Sequence, residues 1–110
     1  MDKLTQIFQM QNKFDERVMQ RCIDEDRPVP CAADKCTAII HEACELRDEL
    51  NWKWWKSWKP TDKGKALEEA VDILHFWVSC CLDLGFTADQ VFQAYLRKNA
   101  INHVRQEQGY

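Results

Sequence analysis

The chain has little glycine and little proline, three of each in 110 residues, and no low-complexity run. So few turn-forming residues leave room for only a few breaks, and long continuous elements are expected. A basic excess is also missing, since the formal net charge is −3 and the sequence pI is about 5.6. A general nucleic-acid binder carries a basic surplus or stripe, so no nucleic-acid partner is expected. No apolar run approaches the roughly 18 residues of a membrane span, and no membrane partner is expected. The opening MDKLTQIFQMQNKFDERV is polar and periodic, without the apolar centre of a secretory leader.

Cysteine, by contrast, is plentiful: Cys22, Cys31, Cys36, Cys44, Cys80 and Cys81. Without a leader these read as reduced thiols in a cytoplasmic protein rather than as a disulfide scaffold. Cys44, Cys80 and Cys81 fall inside helical patterns, where a thiol packs as a small hydrophobe. Cys31 and Cys36 lack a second ligand pair at zinc-site spacing.

What fills the chain is helical periodicity, and the spacing predicts four helices in one all-α domain over residues 1–110. The first is expected from about Lys3 to Asp24, with an apolar stripe of Leu4, Ile7, Phe8, Phe14, Val18 and Cys22 that Gln11 interrupts. Pro28 and Pro30 then break the chain. The second starts near Asp34, a candidate N-cap, and runs to about Leu50 on Ile39, Ala43, Leu46 and Leu50, with Ile40 and Cys44 beside them. Thr61 or Asp62 can cap the third, from about Lys65 to Leu84, which is expected to bury Leu67, Ala70, Val71, Leu74, Val78, Cys81 and Leu82 and stops at Gly85. Thr87 and Gln90 have capping-box spacing for the fourth, which continues to about Glu107. No strand pair or repeat is visible.

Two carboxylate pairs stand out. Glu42 and Glu45 lie three residues apart on the second helix, and Glu69 and Asp72 repeat that spacing on the third. Residues so spaced share a helix face. Antiparallel packing of the two helices brings all four together, where like charges oppose joint ionisation. A hard divalent cation relieves that repulsion, and oxygen-only ligands suit Mg2+ or Mn2+. Solvated helix faces are the plain alternative. Lys98, Asn102 and Arg105 form one stripe of donors on the fourth helix. Metals on the bridging oxygens and Lys and Arg on the outer ones are what a polyphosphate requires.

With these residues in view, the chain resembles a known family. E-x-x-E, a gap of 23 residues and then E-x-x-D is similar to the metal signature of the MazG-like all-α nucleoside triphosphate pyrophosphatases. DILHF after the second motif and the ending RKNAINHVRQEQGY resemble more narrowly the dimeric, all-α dUTPases. Their K-N-x-x-N-x-x-R-Q-x-x-G-Y ending is matched by Lys98, Asn99, Asn102, Arg105, Gln106, Gly109 and Tyr110. FQMQNKFDERV is similar to that branch's opening helix, and the resemblance takes in most of the chain.

The resemblance implies a bundle working as a homodimer that hydrolyses a deoxynucleoside triphosphate, dUTP first, to the monophosphate and pyrophosphate. It implies that Glu42, Glu45, Glu69 and Asp72 bind Mg2+, with Glu42 orienting the attacking water. Lys98, Asn102, Arg105 and Tyr110 then contact phosphates, and Gln11, Trp54 and His75 shape the base pocket. One departure stands beside them: Asp15 occupies a place where the family often has Asn, and an acceptor-only carboxylate can change which base edge is read. Another departure is length, for long members carry further helices. The rivals are a pyrophosphatase for another dNTP, such as dCTP or a modified nucleotide, and a non-catalytic helical interaction module.

The segment LNWKWWKSWKP packs Trp52, Trp54, Trp55 and Trp58 among lysines. No single face buries all four rings. Trp54 is expected to stack on the base, with the other rings plugging the bundle's end or a subunit interface. Gln11 is either buried and hydrogen-bonded or reading a ligand. His75, one turn past Asp72, is either a core histidine or part of the same site.

Overall fold

A computed structural model describes residues 1–109. Four helices follow one another, α1 (Lys3–Asp24), α2 (Ala32–Asp48), α3 (Lys63–Asp83) and α4 (Ala88–Glu107), and no strand occurs among the described residues.

The helix ends follow the local chemistry. Asp2 caps α1 by accepting from the Thr5 amide at 2.8 Å. Asp62 caps α3 by accepting from the Lys65 amide at 3.2 Å. Thr87 and Gln90 close a capping box on α4, with bonds of 3.1 and 2.9 Å. The start of α2 differs from expectation: Cys31 is the N-cap, and Asp34 sits inside the first turn, accepting from the Cys31 amide at 2.9 Å. A carboxylate there complements the helix dipole as well as the free amide. α3 ends where Gly85 adopts φ 80°, and the Gly85 and Phe86 amides reach back to Leu82 and Cys81. That positive φ costs glycine nothing and a residue with a Cβ a good deal.

Packing then sets the directions. α2 and α3 run antiparallel, with the Lys35 ammonium 2.7 Å from Asp83 and the Cys36 and Cys80 sulfurs 3.8 Å apart near one end. All six cysteines are free thiols. α1 runs parallel to α3, since Gln11 meets His75 and Asp15 meets Ser79. α4 turns away from α3 at 107°, and its first turns, at Ala88 and Val91, pack into the junction of α1 and α3. The core is correspondingly small. Phe8, Val78, Cys81 and Ala88 are buried at the α1–α3–α4 junction, ringed by Leu4, Ile7, Leu74, Leu82 and Val91. Trp77 meets Phe8 edge to face, with ring centroids 6.4 Å apart.

Several residues of the expected apolar stripes do not enter this core. Phe14 and Val18 on α1, Ile40 on α2 and Leu67 and Val71 on α3 are exposed, as are Ala43 and Ala70. Leu50 lies beyond the end of α2 and is exposed too. The periodicity was sound, but the chain supplies no helix to cover those faces once α4 has turned aside. The dimensions agree. The accessible surface is 8914 Å², against about 6,400 Å² for a folded monomer of this mass. The radius of gyration is 17.5 Å, against about 13 Å for a compact domain of this length.

Candidate active site

Antiparallel packing of α2 on α3 puts E-x-x-E opposite E-x-x-D. One carboxylate oxygen from each of Glu42, Glu69 and Asp72 lies within 4.8 Å of the others, and Glu45 adjoins them through Glu42. The Oε2 atoms of both Glu42 and Glu69 are shut off from solvent and have no hydrogen-bond partner. A carboxylate oxygen so placed is costly unless something positive meets it. Loss of water pushes the carboxyls of Glu42 and Glu69 above their ordinary range, and neighbouring Glu45 and Asp72 push them further. Orphaned oxygens in a set of oxygen donors fit a hard divalent cation such as Mg2+ or Mn2+.

His41 is a neighbour that the spacing argument passed over. Its Nε2 lies 2.9 Å from Glu45 Oε1, and it groups with Glu42 and Glu45 as a second possible donor set. The signal was present in the sequence, because a histidine four residues before a glutamate shares its helix face.

One turn beyond Asp72, a polar chain crosses from α1 to α3. Gln11, buried in the α1 stripe, donates from Nε2 to Asp15 Oδ1 at 2.8 Å. Its Oε1 lies 2.6 Å from His75 Nδ1, and the buried Ser79 hydroxyl donates to Asp15 Oδ2 at 2.8 Å. Gln11, Asp15 and His75 are thus brought together. Ser79 was not anticipated, although it lies four residues past His75 on the same face.

Trp54 is not brought to that group. The tryptophan loop follows α2 and precedes α3, so the carboxylates stand between it and His75 along the α3 axis. Within the loop Trp52 is half-buried, with the Arg47 guanidinium 4.2 Å above its ring and its indole N–H donating to Asp48 at 3.2 Å. Trp55 packs edge-on against Trp52 and Trp54, at 5.8 and 4.7 Å. Trp54 itself is 78% exposed, and Trp55 and Trp58 are largely exposed too. Asn51 closes the loop, donating to the Lys59 carbonyl at 2.6 Å and accepting from the Lys59 amide at 3.1 Å.

The donor stripe of α4 also stands apart. α4 meets α1 through its first turns, around Ala88, Asp89 and Phe92, meets α3 through Ala88 and Val91, and does not pack on α2. Lys98, Asn102 and Arg105 lie on the half that projects beyond that contact. Tyr110, the last expected phosphate contact, lies outside the described residues. Where α4 leaves α3, an apolar hollow of about 700 Å³ opens, with Trp77, Leu84, Phe86 and Tyr95 among its walls. No single helix among the described residues is long and apolar enough to cross a membrane.

Comparison with known proteins places the chain among nucleotide-processing enzymes by sequence. Two curated relatives, both dCTP pyrophosphatases, come from Enterobacteria phages LZ5 and T4. They are 32% and 34% identical over 71 residues, which take in 51% of this chain in each case. The matched region is 41% and 42% of their own lengths, so the chain spans less than half the length of these relatives. No solved structure gives a significant match. The family model described as dUTPase matches residues 3–84 and 78–110, which is nearly the whole sequence. On that match the chain belongs to the dUTPase family.

Proposed function

We propose that the protein is a Mg2+-dependent pyrophosphohydrolase that cleaves a pyrimidine deoxynucleoside triphosphate to the monophosphate and pyrophosphate. The observation that carries this is the meeting of Glu42, Glu69 and Asp72 around two carboxylate oxygens with no partner. Family membership and the dCTP pyrophosphatase activity of the relatives support it. They point to a uracil or a cytosine nucleotide.

Glu42, Glu45, Glu69 and Asp72 are the residues that would hold the metal, with Mn2+ as a substitute. When bound, Mg2+ supplies the positive charge that activates a water and stabilises the leaving pyrophosphate. Glu42 orients that water by accepting a hydrogen bond from it. No side chain need act as a covalent nucleophile. Lys98, Asn102, Arg105 and Tyr110 contact the phosphates, while Gln11, Asp15 and His75 form the base end. Trp54 serves as an aromatic wall.

On this reading the working unit is a homodimer. An accessible surface of 8914 Å² and uncovered residues such as Phe14, Ile40 and Leu67 call for a second copy. Lys98, Asn102 and Arg105 stand apart from the carboxylates and His75 of their own chain, and Trp54 stands apart from its His75. A second copy is the natural source of these residues for each site.

Pyrophosphate release from each dNTP, with Mg2+ and with EDTA, tests the proposal. Metal-dependent release from dUTP or dCTP is expected, and none from any dNTP would refute it. A helical interaction module has the exposed rings of Trp54, Trp55 and Trp58 in its favour, and would release no pyrophosphate.

A further inference from the structure

The chain Ser79–Asp15–Gln11–His75 has only one consistent hydrogen-bond polarity. Asp15 as a carboxylate accepts only, and it faces both the Ser79 hydroxyl and the Gln11 amide. The Gln11 amide must therefore turn its NH2 toward Asp15 and its carbonyl oxygen toward His75. That carbonyl also accepts only, so the His75 Nδ1, 2.6 Å away, must carry the proton. A neutral imidazole protonated on Nδ1 leaves a bare lone pair on Nε2. Gln11 and Ser79 are buried, so solvent does not reorient the chain. His75 is exposed, and its Nε2 has no recorded partner among the described residues.

From this polarity we infer that Asp15, acting through Gln11, fixes the neutral form of His75 as a hydrogen-bond acceptor toward the C4 group of the base, and so selects cytosine over uracil. The inference rests on the proposed pyrimidine site, with the base lying one turn beyond Asp72. The edges of the two bases differ at N3, which donates in uracil and accepts in cytosine, and in the group at C4, which is the one this inference sets against His75. Cytosine presents an amino group, which donates to the Nε2 lone pair. Uracil presents a carbonyl oxygen, which meets that lone pair with another and leaves both unsatisfied. An Asn in place of Asp15 would remove the constraint, because an amide can donate or accept and both Gln11 and His75 could then reverse. Asp15 is on this account a positioning residue and His75 the group that touches the base.

Three measurements on the full chain test this. Wild-type kcat/KM for dCTP should exceed that for dUTP by about tenfold or more, as expected where a site leaves a polar group unpaired with the wrong substrate. Asp15→Asn should shrink that ratio toward unity or reverse it. Nitrogen-15 NMR of the wild-type imidazole should show His75 protonated on Nδ1 and bare on Nε2, while the change in base ratio on Asp15→Asn is the readout that a merely structural role would not move. Equal or better use of dUTP by the wild type would overturn the inference while leaving the hydrolase reading intact. Protonation of His75 on Nε2 would overturn it as well. If no dNTP is hydrolysed the hydrolase reading fails, and tighter binding of dCMP than dUMP decides the base inference separately. Should Asp15→Asn not fold, the wild-type ratio and the NMR tautomer decide it alone.

Discussion

Glu42 on α2 and Glu69 on α3 face each other across the helix pair, each with one oxygen shut away from water and from any partner. Both carboxyls are raised above the ordinary 4.5, so both bind a proton more tightly folded than unfolded. The stability this contributes is complete below the ordinary value and is lost as pH rises through the raised one. Protein without a cation here is therefore destabilised at neutral pH, and the proposed metal would relieve it.

Glu69→Gln should accordingly raise the Tm of EDTA-treated protein at neutral pH, with the gain fading toward acid pH. The same change should abolish the rise in Tm on adding Mg2+ and lower turnover by more than about 100-fold. Calorimetry across pH, with and without Mg2+, reads all three. An Mg2+-dependent Tm rise in the variant equal to that of the wild type would move the metal elsewhere.

Arg105 offers a planar fork to phosphate, which lysine cannot copy despite its equal charge. Arg105→Lys should lower kcat/KM by about tenfold with little change in Tm. Unchanged kinetics would place Arg105 on a solvated face of α4.

Trp54 is the most exposed ring of its loop. Trp54→Ala should weaken deoxynucleotide binding by about 1–3 kcal/mol, the value of one stacked base, and leave pyrophosphate binding nearly intact. Trp58→Ala should act instead on Tm or on association. Equal losses for dUMP and pyrophosphate in Trp54→Ala would make the ring part of the scaffold.

The proposed homodimer can be tested at the apolar hollow of the α3–α4 elbow, taken on that reading as part of its interface. Tyr95 is 65% exposed there, so Tyr95→Asp should cost the isolated chain little. Its dimer should dissociate at concentrations about 100-fold higher than the wild type needs, with activity falling in step. Sedimentation velocity at matched concentrations decides it, and a wild-type monomer at working concentration would refute the dimer.

The elements themselves were largely legible in the sequence. Caps at Asp62 and Thr87, the stop at Gly85 and the pairing of Glu42 and Glu45 with Glu69 and Asp72 all follow from local spacing, which the helix repeat converts directly into geometry. The setting of α4 was not legible. Its angle to α3 depends on Phe8, Ala88 and Val91 meeting across sequence-distant helices, and no periodicity encodes that. Phe14 and Leu67 were expected in the helix stripes and Ile40 beside one, yet all three are exposed, because pattern alone does not say whether the covering surface is on the same chain. Within the site, Gln11 was recognised as a misfit in its stripe. Its orientation needed the partners on both sides, Asp15 and His75, and only one of those is on its own helix.

The Asn51–Lys59 clasp has a consequence for how such a chain can change over evolution. With the two ends of the tryptophan loop fastened to each other, the residues between them hang outside the α2–α3 register. The entropy of closing a loop grows only with the logarithm of its length. Extra segments inserted between Trp52 and Trp58 should thus be tolerated, leaving Glu42 and Glu45 opposite Glu69 and Asp72. The loop is a port at which a lineage can add or shed structure without moving the carboxylates.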